Sequence, residues 1–207
     1  MKQDPQSLVD RARRAEAAEG RSARSGPTGV LVLVGMRCSG KTTVGRALAA
    51  RLSLPFVDLD DETQRFGRFA GFPAGSVGEL LSSAGEARFR DLEATALRKL
   101  LEPSQDLVVA AGGGAIERED NRTWLERTAT VVFLSVLPRL LRVRMVADPT
   151  LRPGLEAEDP LGEIEAVLAR REPLYRAVAD LVVEAGEEPP EAVAARIETE
   201  LLGVGQR

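Results

Sequence analysis

The sequence lacks histidine altogether and contains a single cysteine, Cys38, among its 207 residues. Without histidine there can be no His-based catalytic triad and no histidine metal site, so a general base must be a carboxylate or the substrate itself. A single cysteine excludes an intrachain disulfide and is typical of proteins kept in a reducing environment. We therefore expect a cytoplasmic protein.

Long apolar runs and an excess of positive charge are also missing. No apolar stretch is long enough to span a membrane, and a net charge of −4 argues against broad nucleic-acid binding. Hydrophobic residues make up 43% and charged residues 29% of the chain, the balance of an ordinary globular protein. We expect a monomer that binds a small molecule, with neither a nucleic-acid nor a membrane partner.

The chain length suggests one domain with a short appendage. Residues 1–28 are polar and rich in arginine and alanine, and they lack the continuous apolar segment of a secretory signal. We predict a flexible N-terminal tail over residues 1–28 and a single domain over residues 29–207.

The most informative stretch joins a strand, a glycine loop and a helix. Val30 to Val34 is a β-branched apolar run typical of a buried strand, and residues 44–52 have a helical pattern. Between them, residues 35–42 fit G-x-x-x-x-G-K-[ST], a phosphate-binding loop. In such a loop the backbone N–H groups and Lys41 bind phosphates, and the Thr42 hydroxyl ligates magnesium. A chance glycine loop is the alternative, which the flanking strand and helix disfavour.

The next predicted strand, over residues 54–61, ends in carboxylates. Alternation along a strand would place Asp58 and Asp60 on one face. Because the carboxyl ends of parallel strands line the ligand crevice of an open α/β sheet, we expect both carboxylates beside the phosphate loop. Helix capping is the alternative, since it is a common role of aspartate at a strand-to-helix junction.

Two glycine-containing segments complete the candidate site. Gly112, Gly113 and Gly114 follow a third predicted strand over residues 106–111. Three glycines offer no side chains for packing, so they indicate a segment where a ligand approaches the backbone closely. A tight turn is the alternative. The Pro- and Gly-rich stretch over residues 148–155 contains an isolated Arg152 and has the composition of a flexible lid.

Strands and helices alternate along the rest of the chain, which predicts an α/β fold with a parallel sheet and helices on both faces. A glycine-rich mobile subdomain with a short helix at 77–81 is predicted over residues 62–84. Further helices are predicted over residues 86–101, 118–126, 138–146, 161–171 and 190–202, and a helical stretch is expected to continue after Pro173-Leu174-Tyr175. Further strands are predicted over residues 129–134 and 179–183.

In this order the motifs resemble those of the shikimate kinases, small P-loop kinases of the nucleoside-monophosphate-kinase fold. The resemblance covers about residues 29–203, and these motifs carry it: the phosphate loop, Phe-x-Asp-x-Asp at 56–60, Gly-Glu-x-x-Phe-Arg-x-x-Glu at 85–93, the glycine triplet, Arg-Pro at 152–153 and Arg-x-Pro-Leu-Tyr at 171–175. It implies a P-loop three-layer sandwich with a lid and a five-stranded parallel sheet ordered 2-3-1-4-5. The implied reaction transfers the ATP γ-phosphoryl group to the 3-hydroxyl of shikimate, on the way to chorismate and the aromatic amino acids.

The resemblance also implies which residues bind the nucleotide. These are Gly35, Cys38, Ser39, Gly40, Lys41, Thr42, Thr43 and Arg152. Thr42 and Asp58 would hold Mg²⁺. Lys41 and the lid Arg152 would stabilise charge on the transferred phosphoryl group.

On the acceptor side, the resemblance implies that Arg90 and Arg171 bind the shikimate carboxylate, because a guanidinium matches a planar carboxylate in bidentate fashion. Asp60 would hydrogen-bond the hydroxyls and position or deprotonate the attacking one. The backbone of Gly112, Gly113 and Gly114 would lie against the ring.

Three segments of the chain depart from the family pattern. Met36, Arg37 and Cys38 stand where the family more often has small or apolar residues and a glycine. Gly154 follows the Arg-Pro of the lid in place of the commoner leucine. Residues 184–189 lack the basic or polar residue often placed against adenine, so we expect backbone contacts there.

Two other functions stay open from the sequence. One is a different small-molecule P-loop kinase, for gluconate or a nucleoside monophosphate, and the other is a non-catalytic kinase-like regulator. The two arginines with Asp60 favour a hydroxylated carboxylic acid over a polyol or a phosphate. The presence of Lys41, Thr42, Asp58 and Arg152 favours an enzyme.

Overall fold

The computed structural model describes residues 29–102, 106–147 and 162–204. Its strands are β1 (Val30–Val34), β2 (Phe56–Asp58), β3 (Leu107–Ala110), β4 (Ala129–Ser135) and β5 (Leu181–Glu184). They form one parallel sheet in the order β2-β3-β1-β4-β5. The α/β fold class and the strand order expected from the resemblance are confirmed.

Helices connect successive strands, as parallel pairing requires. They are α1 (Lys41–Leu52), α2 (Leu59–Phe69), α3 (Val77–Ala84), α4 (Glu86–Leu100), α5 (Glu119–Thr128), α6 (Pro138–Ala147), α7 (Gly162–Val178) and α8 (Pro190–Val204), with a 3-10 helix at Ala115–Glu117. None of the helices in the described ranges is long and apolar enough to cross a membrane.

The core lies on both faces of the central strands. All residues of β1 and β3 are buried, and both strands are continuous apolar runs rather than alternating ones. This pattern is expected of a parallel strand that is covered by helices on each side. The central strands thus form a rigid platform, and the loops that follow them carry the candidate site.

The second strand is shorter than predicted, and this changes the position of Asp60. β2 ends at Asp58, whose side chain accepts a hydrogen bond from the Asp60 backbone N at 3.0 Å and caps α2. Asp60 therefore lies in the first turn of a helix, and the prediction that it alternates with Asp58 along a strand is wrong. Capping, the alternative weighed for this junction, applies to Asp58.

Residues 62–84 contain more helix than the sequence indicated. The predicted helix at 77–81 extends to Ala84, and α2 occupies residues 59–69. Gly67 of α2 lies so close to α3 that an added Cβ would be 2.7 Å from a methyl carbon of Leu80. At this position glycine permits close packing of two helices.

The remaining elements match the prediction to within about three residues, except that α7 runs through Pro173 as one helix. The predicted tail over 1–28 and the whole predicted lid over 148–155, including Arg152, lie outside the described residues.

Candidate active site

The candidate site lies at the carboxyl edge of the sheet, where three loops meet. The loop at 35–40 follows β1, Asp58 ends β2, and the glycine triplet follows β3. Because β1 and β2 both pair with β3 in parallel, these three chain segments leave the sheet at the same edge. This is the edge at which open α/β sheets bind ligands.

The phosphate loop has a backbone that favours glycine at several positions. Gly35 and Gly40 have φ of 148° and 94°. At Gly35, an added Cβ would also lie 2.8 Å from the Leu134 carbonyl oxygen. Cys38 has a φ of 61°, in the left-handed region that side chains other than glycine rarely adopt. Glycine, which the resemblance implies is commoner at this position, would adopt this φ without strain.

The loop has the free donors that a triphosphate needs. Gly40 provides no side-chain cap for α1, so the first N–H groups of the helix point into the loop without a capping partner from that residue. The Ser39 hydroxyl is buried and has no hydrogen-bond partner among the described residues. Thr43 instead donates its hydroxyl to the Gly40 carbonyl oxygen at 2.9 Å and stabilises the turn.

Lys41 is buried under this loop. Its Nζ donates a hydrogen bond to the Met36 carbonyl oxygen at 2.8 Å. Burial lowers the pKa of Lys41 to about 8, while the nearby carboxylates of Asp60 and Asp58 act in the opposite direction. The ammonium group is therefore poorly solvated, and a phosphate beside it would stabilise its charged form.

Thr42 and Asp58 form the candidate magnesium site. The Thr42 hydroxyl donates to Asp58 Oδ2 at 2.8 Å. Within the described ranges no group of three or more potential Cys, Asp or Glu metal ligands occurs. Mg²⁺ commonly has one or two protein oxygens and takes its other ligands from water and phosphates, so the oxygens of Thr42 and Asp58 are a donor set that suits it.

Asp60 and Glu93 converge on the first residue of the glycine triplet. A Cβ on Gly112 would lie 2.8 Å from Glu93 Oε1 and 3.0 Å from Asp60 Oδ1. Burial raises the pKa of Asp60, and the negative charge of Asp58 adds to this, while Lys41 opposes it. An Asp60 carboxylate with a raised pKa is a better proton acceptor than an ordinary aspartate.

Arg90 lies on the third glycine. A Cβ on Gly114 would be 2.7 Å from both Nη1 and Nη2 of Arg90. Nη1 donates to Glu93 Oε2 at 3.0 Å, and the Glu93 side chain is only 2% exposed. Burial raises the pKa of Glu93, and the charge of Arg90 opposes the rise. The buried carboxylate therefore fixes the guanidinium beside the triplet.

Arg171 of α7 is paired with Glu117, at the end of the 3-10 helix. Its Nε donates to Glu117 Oε1 at 3.2 Å and its Nη2 to Oε2 at 3.1 Å. Arg170 Nη2 also donates to Oε1, at 3.0 Å. Burial favours a higher pKa for Glu117, but the hydrogen bonds and charges of Arg171 and Arg170 outweigh it and lower the pKa.

Tyr175 links α7 to the middle glycine. Its hydroxyl donates to the Gly113 carbonyl oxygen at 2.6 Å, and its ring stacks on Phe133 with centroids 5.0 Å apart. The same hydroxyl lies 4.0 Å from the Met36 sulfur in the phosphate loop. The helix that carries Arg171 is thereby attached to both halves of the site.

The glycine triplet differs in part from its predicted role. We expected a ligand to require the missing side chains, but protein groups fill the space beside Gly112 and Gly114. Gly113 faces the Arg37 backbone N at 3.3 Å and Arg171 Nη1 at 3.8 Å, measured from an added Cβ. Absence of side chains therefore lets the acidic and basic groups of the site approach one backbone segment.

Sequence reasoning missed three residues. Glu117 and Glu93 are ion-pair partners of the predicted arginines. Arg144 of α6 donates to the Ser39 carbonyl oxygen at 3.4 Å and to the Gly186 carbonyl oxygen, which joins the phosphate loop to the loop after β5. Glu93 stands in a motif that was noticed, whereas nothing in the local sequence marks Glu117 or Arg144.

Comparison with known proteins was made on the sequence and on the fold. A family model described as shikimate kinase matches residues 37–202. A shikimate kinase of Cupriavidus pinatubonensis is 41% identical over 157 residues, which cover 76% of this chain and 78% of the relative. One from Parasynechococcus marenigrum is 43% identical over 166 residues, covering 79% of this chain and 81% of the relative.

Solved structures give the same result. The structure of shikimate kinase from Acinetobacter baumannii in complex with shikimate superposes with a TM-score of 0.78 at 32% identity, covering 93% of this chain and 99% of that one. Shikimate kinase from Bacteroides thetaiotaomicron gives a TM-score of 0.74 at 32% identity, covering 84% and 99% of the two chains.

Proposed function

Since the chain belongs to the shikimate kinase family, we propose that it is the enzyme that transfers the γ-phosphoryl group of ATP to the 3-hydroxyl of shikimate. The reaction is a step in the synthesis of chorismate and the aromatic amino acids. One observation carries the proposal: Asp60, Arg90, Arg171 and the phosphate loop all surround the glycine triplet after β3, each within 3.8 Å of where a Cβ would stand. The site for the phosphoryl donor and the site for an acidic acceptor molecule therefore share one backbone segment.

The acceptor is identified by its chemistry. Arg90 and Arg171 offer guanidinium groups to a planar carboxylate. Asp60, on the other side of Gly112, is a hydrogen-bond acceptor for hydroxyl groups and lies close enough to Lys41 to influence its pKa. A carboxylic acid with hydroxyls would thus have its carboxylate on the arginines and a hydroxyl between Asp60 and the phosphates. Gluconate also carries a carboxylate and hydroxyls, but its open chain does not hold them at a fixed separation, whereas the ring of shikimate does.

The chain's own residues perform the catalytic work. Backbone N–H groups of the loop and of the first turn of α1 bind the β- and γ-phosphates, and Lys41 offsets the charge that develops on the transferred group. Asp60 positions the attacking hydroxyl and accepts its proton. Its raised pKa suits this role, because the proton acceptor must be ionised and still basic.

We assign Mg²⁺ to Thr42 and Asp58 because their oxygens are in hydrogen-bond contact beside the phosphate loop. When bound, the ion neutralises charge on the β- and γ-phosphates. Asp58 has a second task, since its other carboxylate oxygen caps α2 and so fixes Asp60. Gly35, Cys38, Ser39, Gly40, Thr43 and Arg152 are proposed to complete the nucleotide site.

The broader setting is also a proposal. We infer a cytoplasmic monomer that acts on a small molecule and binds neither nucleic acid nor membrane. The single cysteine and the net charge of −4 support this inference.

The decisive experiment is an ADP-release assay with ATP and Mg²⁺ against three acceptors: shikimate, gluconate and AMP. We expect turnover with shikimate alone, and mass spectrometry should find the phosphate on the 3-hydroxyl. Turnover with gluconate or AMP and none with shikimate would overturn the proposal. Absence of turnover with all three, together with calorimetric binding of shikimate, would favour the non-catalytic regulator.

A variant tests the carboxylate site separately. Arg171→Ala should raise the KM for shikimate by about 10- to 100-fold, since a charge-assisted pair is lost. Arg176→Ala, on the same helix and paired with Glu172 at the surface, is the matched control and should leave the KM unchanged. Normal shikimate affinity in Arg171→Ala would rule out the assignment of this arginine.

A further inference from the structure

Glu117 forms an ion pair with Arg171 in the geometry expected of a substrate carboxylate. Both Glu117 oxygens accept from Arg171, at 3.2 and 3.1 Å, which is the fork-to-fork geometry of a guanidinium and a carboxylate. Glu117 Oε2 is also 3.8 Å from Nη2 of Arg90. A carboxylate of the chain itself therefore lies between the two arginines proposed to bind the substrate carboxylate.

We propose that Glu117 is an intramolecular competitor of the substrate: in the free enzyme it holds Arg171, and the carboxylate of the acidic acceptor must displace it. This inference rests on the proposed function, because it takes the substrate to be a carboxylic acid that binds Arg171. Glu117 then sets the apparent affinity for that substrate without touching the reacting atoms.

Exposure of the pair is compatible with exchange. The side chains of Arg171 and Glu117 are 16% and 28% exposed, so water and a ligand can reach both. The Arg90–Glu93 pair differs, since Glu93 is 2% exposed and is not accessible for exchange. Of these two neighbouring ion pairs, only the one with Glu117 can open towards the cleft.

Arg170 gives Glu117 a second partner. It donates to Glu117 Oε1 at 3.0 Å, and its side chain is 65% exposed. Glu117 can therefore release Arg171 and keep an ion pair. Because this second ion pair remains, Arg170 lowers the free energy needed to displace Glu117 from Arg171. Arg170 therefore favours substrate binding although it lies outside the substrate site.

The charge of Glu117 opposes substrate binding, as its ion pair with Arg171 does. The guanidinium groups of Arg90, Arg170 and Arg171 face the carboxylates of Glu93 and Glu117, and the exposed Glu86 lies 4.0 Å from Arg90. A substrate carboxylate that enters beside Glu117 meets a like charge as well as an occupied guanidinium. Neutralising Glu117 removes both obstacles.

The first test replaces Glu117 by its neutral isostere. Glu117→Gln should lower the KM for shikimate and the calorimetric dissociation constant about three- to tenfold, because a neutral amide competes poorly for Arg171. Glu117→Ala should act in the same direction. Glu172→Gln, which neutralises a surface carboxylate of α7 that is paired with Arg176, is the matched control and should change neither constant.

The second test separates competition from positioning. If Glu117 merely held Arg171 in place, Glu117→Gln would raise the KM or lower kcat, and the proposal would be overturned. Arg170→Gln should weaken shikimate binding, and this effect should shrink in the Glu117→Gln background because Glu117 no longer needs a second partner. An Arg170→Gln effect of equal size in both backgrounds would contradict the exchange.

A neutral ligand completes the design. The methyl ester of shikimate carries no anionic group, so Glu117→Gln should leave its dissociation constant unchanged. An equal gain in affinity for the acid and the ester would show that the substitution merely opens the cleft, and this would overturn the proposal. Turnover by the unsubstituted enzyme decides the proposed function, whereas the ratio of dissociation constants decides this inference independently. Absence of shikimate binding in both proteins would overturn both.

Discussion

The substitution Gly114→Ala should displace Arg90 and so weaken both shikimate binding and thermal stability. Gly114 has φ −96° and ψ −5°, a backbone conformation that alanine adopts without strain. The added methyl group would lie 2.7 Å from two nitrogens of the Arg90 guanidinium, well inside van der Waals contact. Because the guanidinium is the end of a flexible side chain, it can retreat while the backbone keeps its position.

The size of the effect follows from what Arg90 contacts. Its retreat weakens the bond to Glu93, a carboxylate that is 2% exposed. Leaving such a group partly unpaired costs about 1–2 kcal/mol, which lowers Tm by roughly 3–6 °C in a chain of this size. Loss of one charge-assisted bond to the substrate, about 1.5–3 kcal/mol, raises the KM for shikimate roughly 10- to 100-fold.

A coupled ADP-release assay and thermal unfolding followed by circular dichroism measure the two effects. The KM for ATP should change little, since the three atoms nearest to the added methyl group all belong to Arg90. Gly203→Ala is the matched control: it lies in α8, and an added Cβ meets nothing within 4 Å. A Gly114→Ala enzyme with the unsubstituted KM for shikimate would refute the packing of Arg90 on the triplet.

Three further predictions concern the donor side and the link between the two halves. Lys41→Met should lower kcat by about 10²- to 10³-fold, the loss of roughly 3–4 kcal/mol in the transition state, while calorimetry should find shikimate binding retained; an unchanged kcat would contradict the role of Lys41. Burial lowers the pKa of Lys41 to about 8 and phosphate binding needs its charged form, so kcat/KM for ATP should fall above about pH 8. The descending limb of kcat should lie at higher pH, since bound phosphates raise the pKa, and a profile of kcat/KM flat to pH 10 would disprove this assignment. Tyr175→Phe, which removes the donor to the Gly113 carbonyl oxygen, should lower the unfolding free energy by about 1 kcal/mol and Tm by roughly 2–4 °C, and an unchanged denaturant midpoint would contradict the importance of that bond.

The fold could be predicted from the sequence because its strongest local signals agree with one another. The apolar run of β1, the phosphate loop and the start of α1 fix the first βα unit, and the alternation of strands and helices fixes the sheet type. The boundary at Asp58 was missed because an aspartate after an apolar run is compatible with both a strand end and a helix cap. Only the hydrogen bond to the Asp60 backbone N distinguishes the two.

Short motifs predict site residues that carry their own chemistry, but the sequence does not show the distant partners of those residues. Arg171 was identified from a short motif, but its partner Glu117 is 54 residues away and stands in no motif. The group that occupies the space beside Gly114 could not be predicted from the sequence, because a glycine indicates only that a side chain is missing. Which group fills that space depends on how α4 packs against the loop after β3.

The contact of Tyr175 with Gly113 has a consequence for how the two substrates bind. One hydroxyl joins the helix of Arg171 to the glycine triplet, and its 4.0 Å contact with the Met36 sulfur reaches the loop whose Met36 carbonyl oxygen holds Lys41. We therefore expect that ordering one half restricts the other, so that nucleotide and acceptor bind with positive cooperativity. Linkage makes this reciprocal: whatever factor ATP adds to the affinity for the acid, the acid must add to the affinity for ATP.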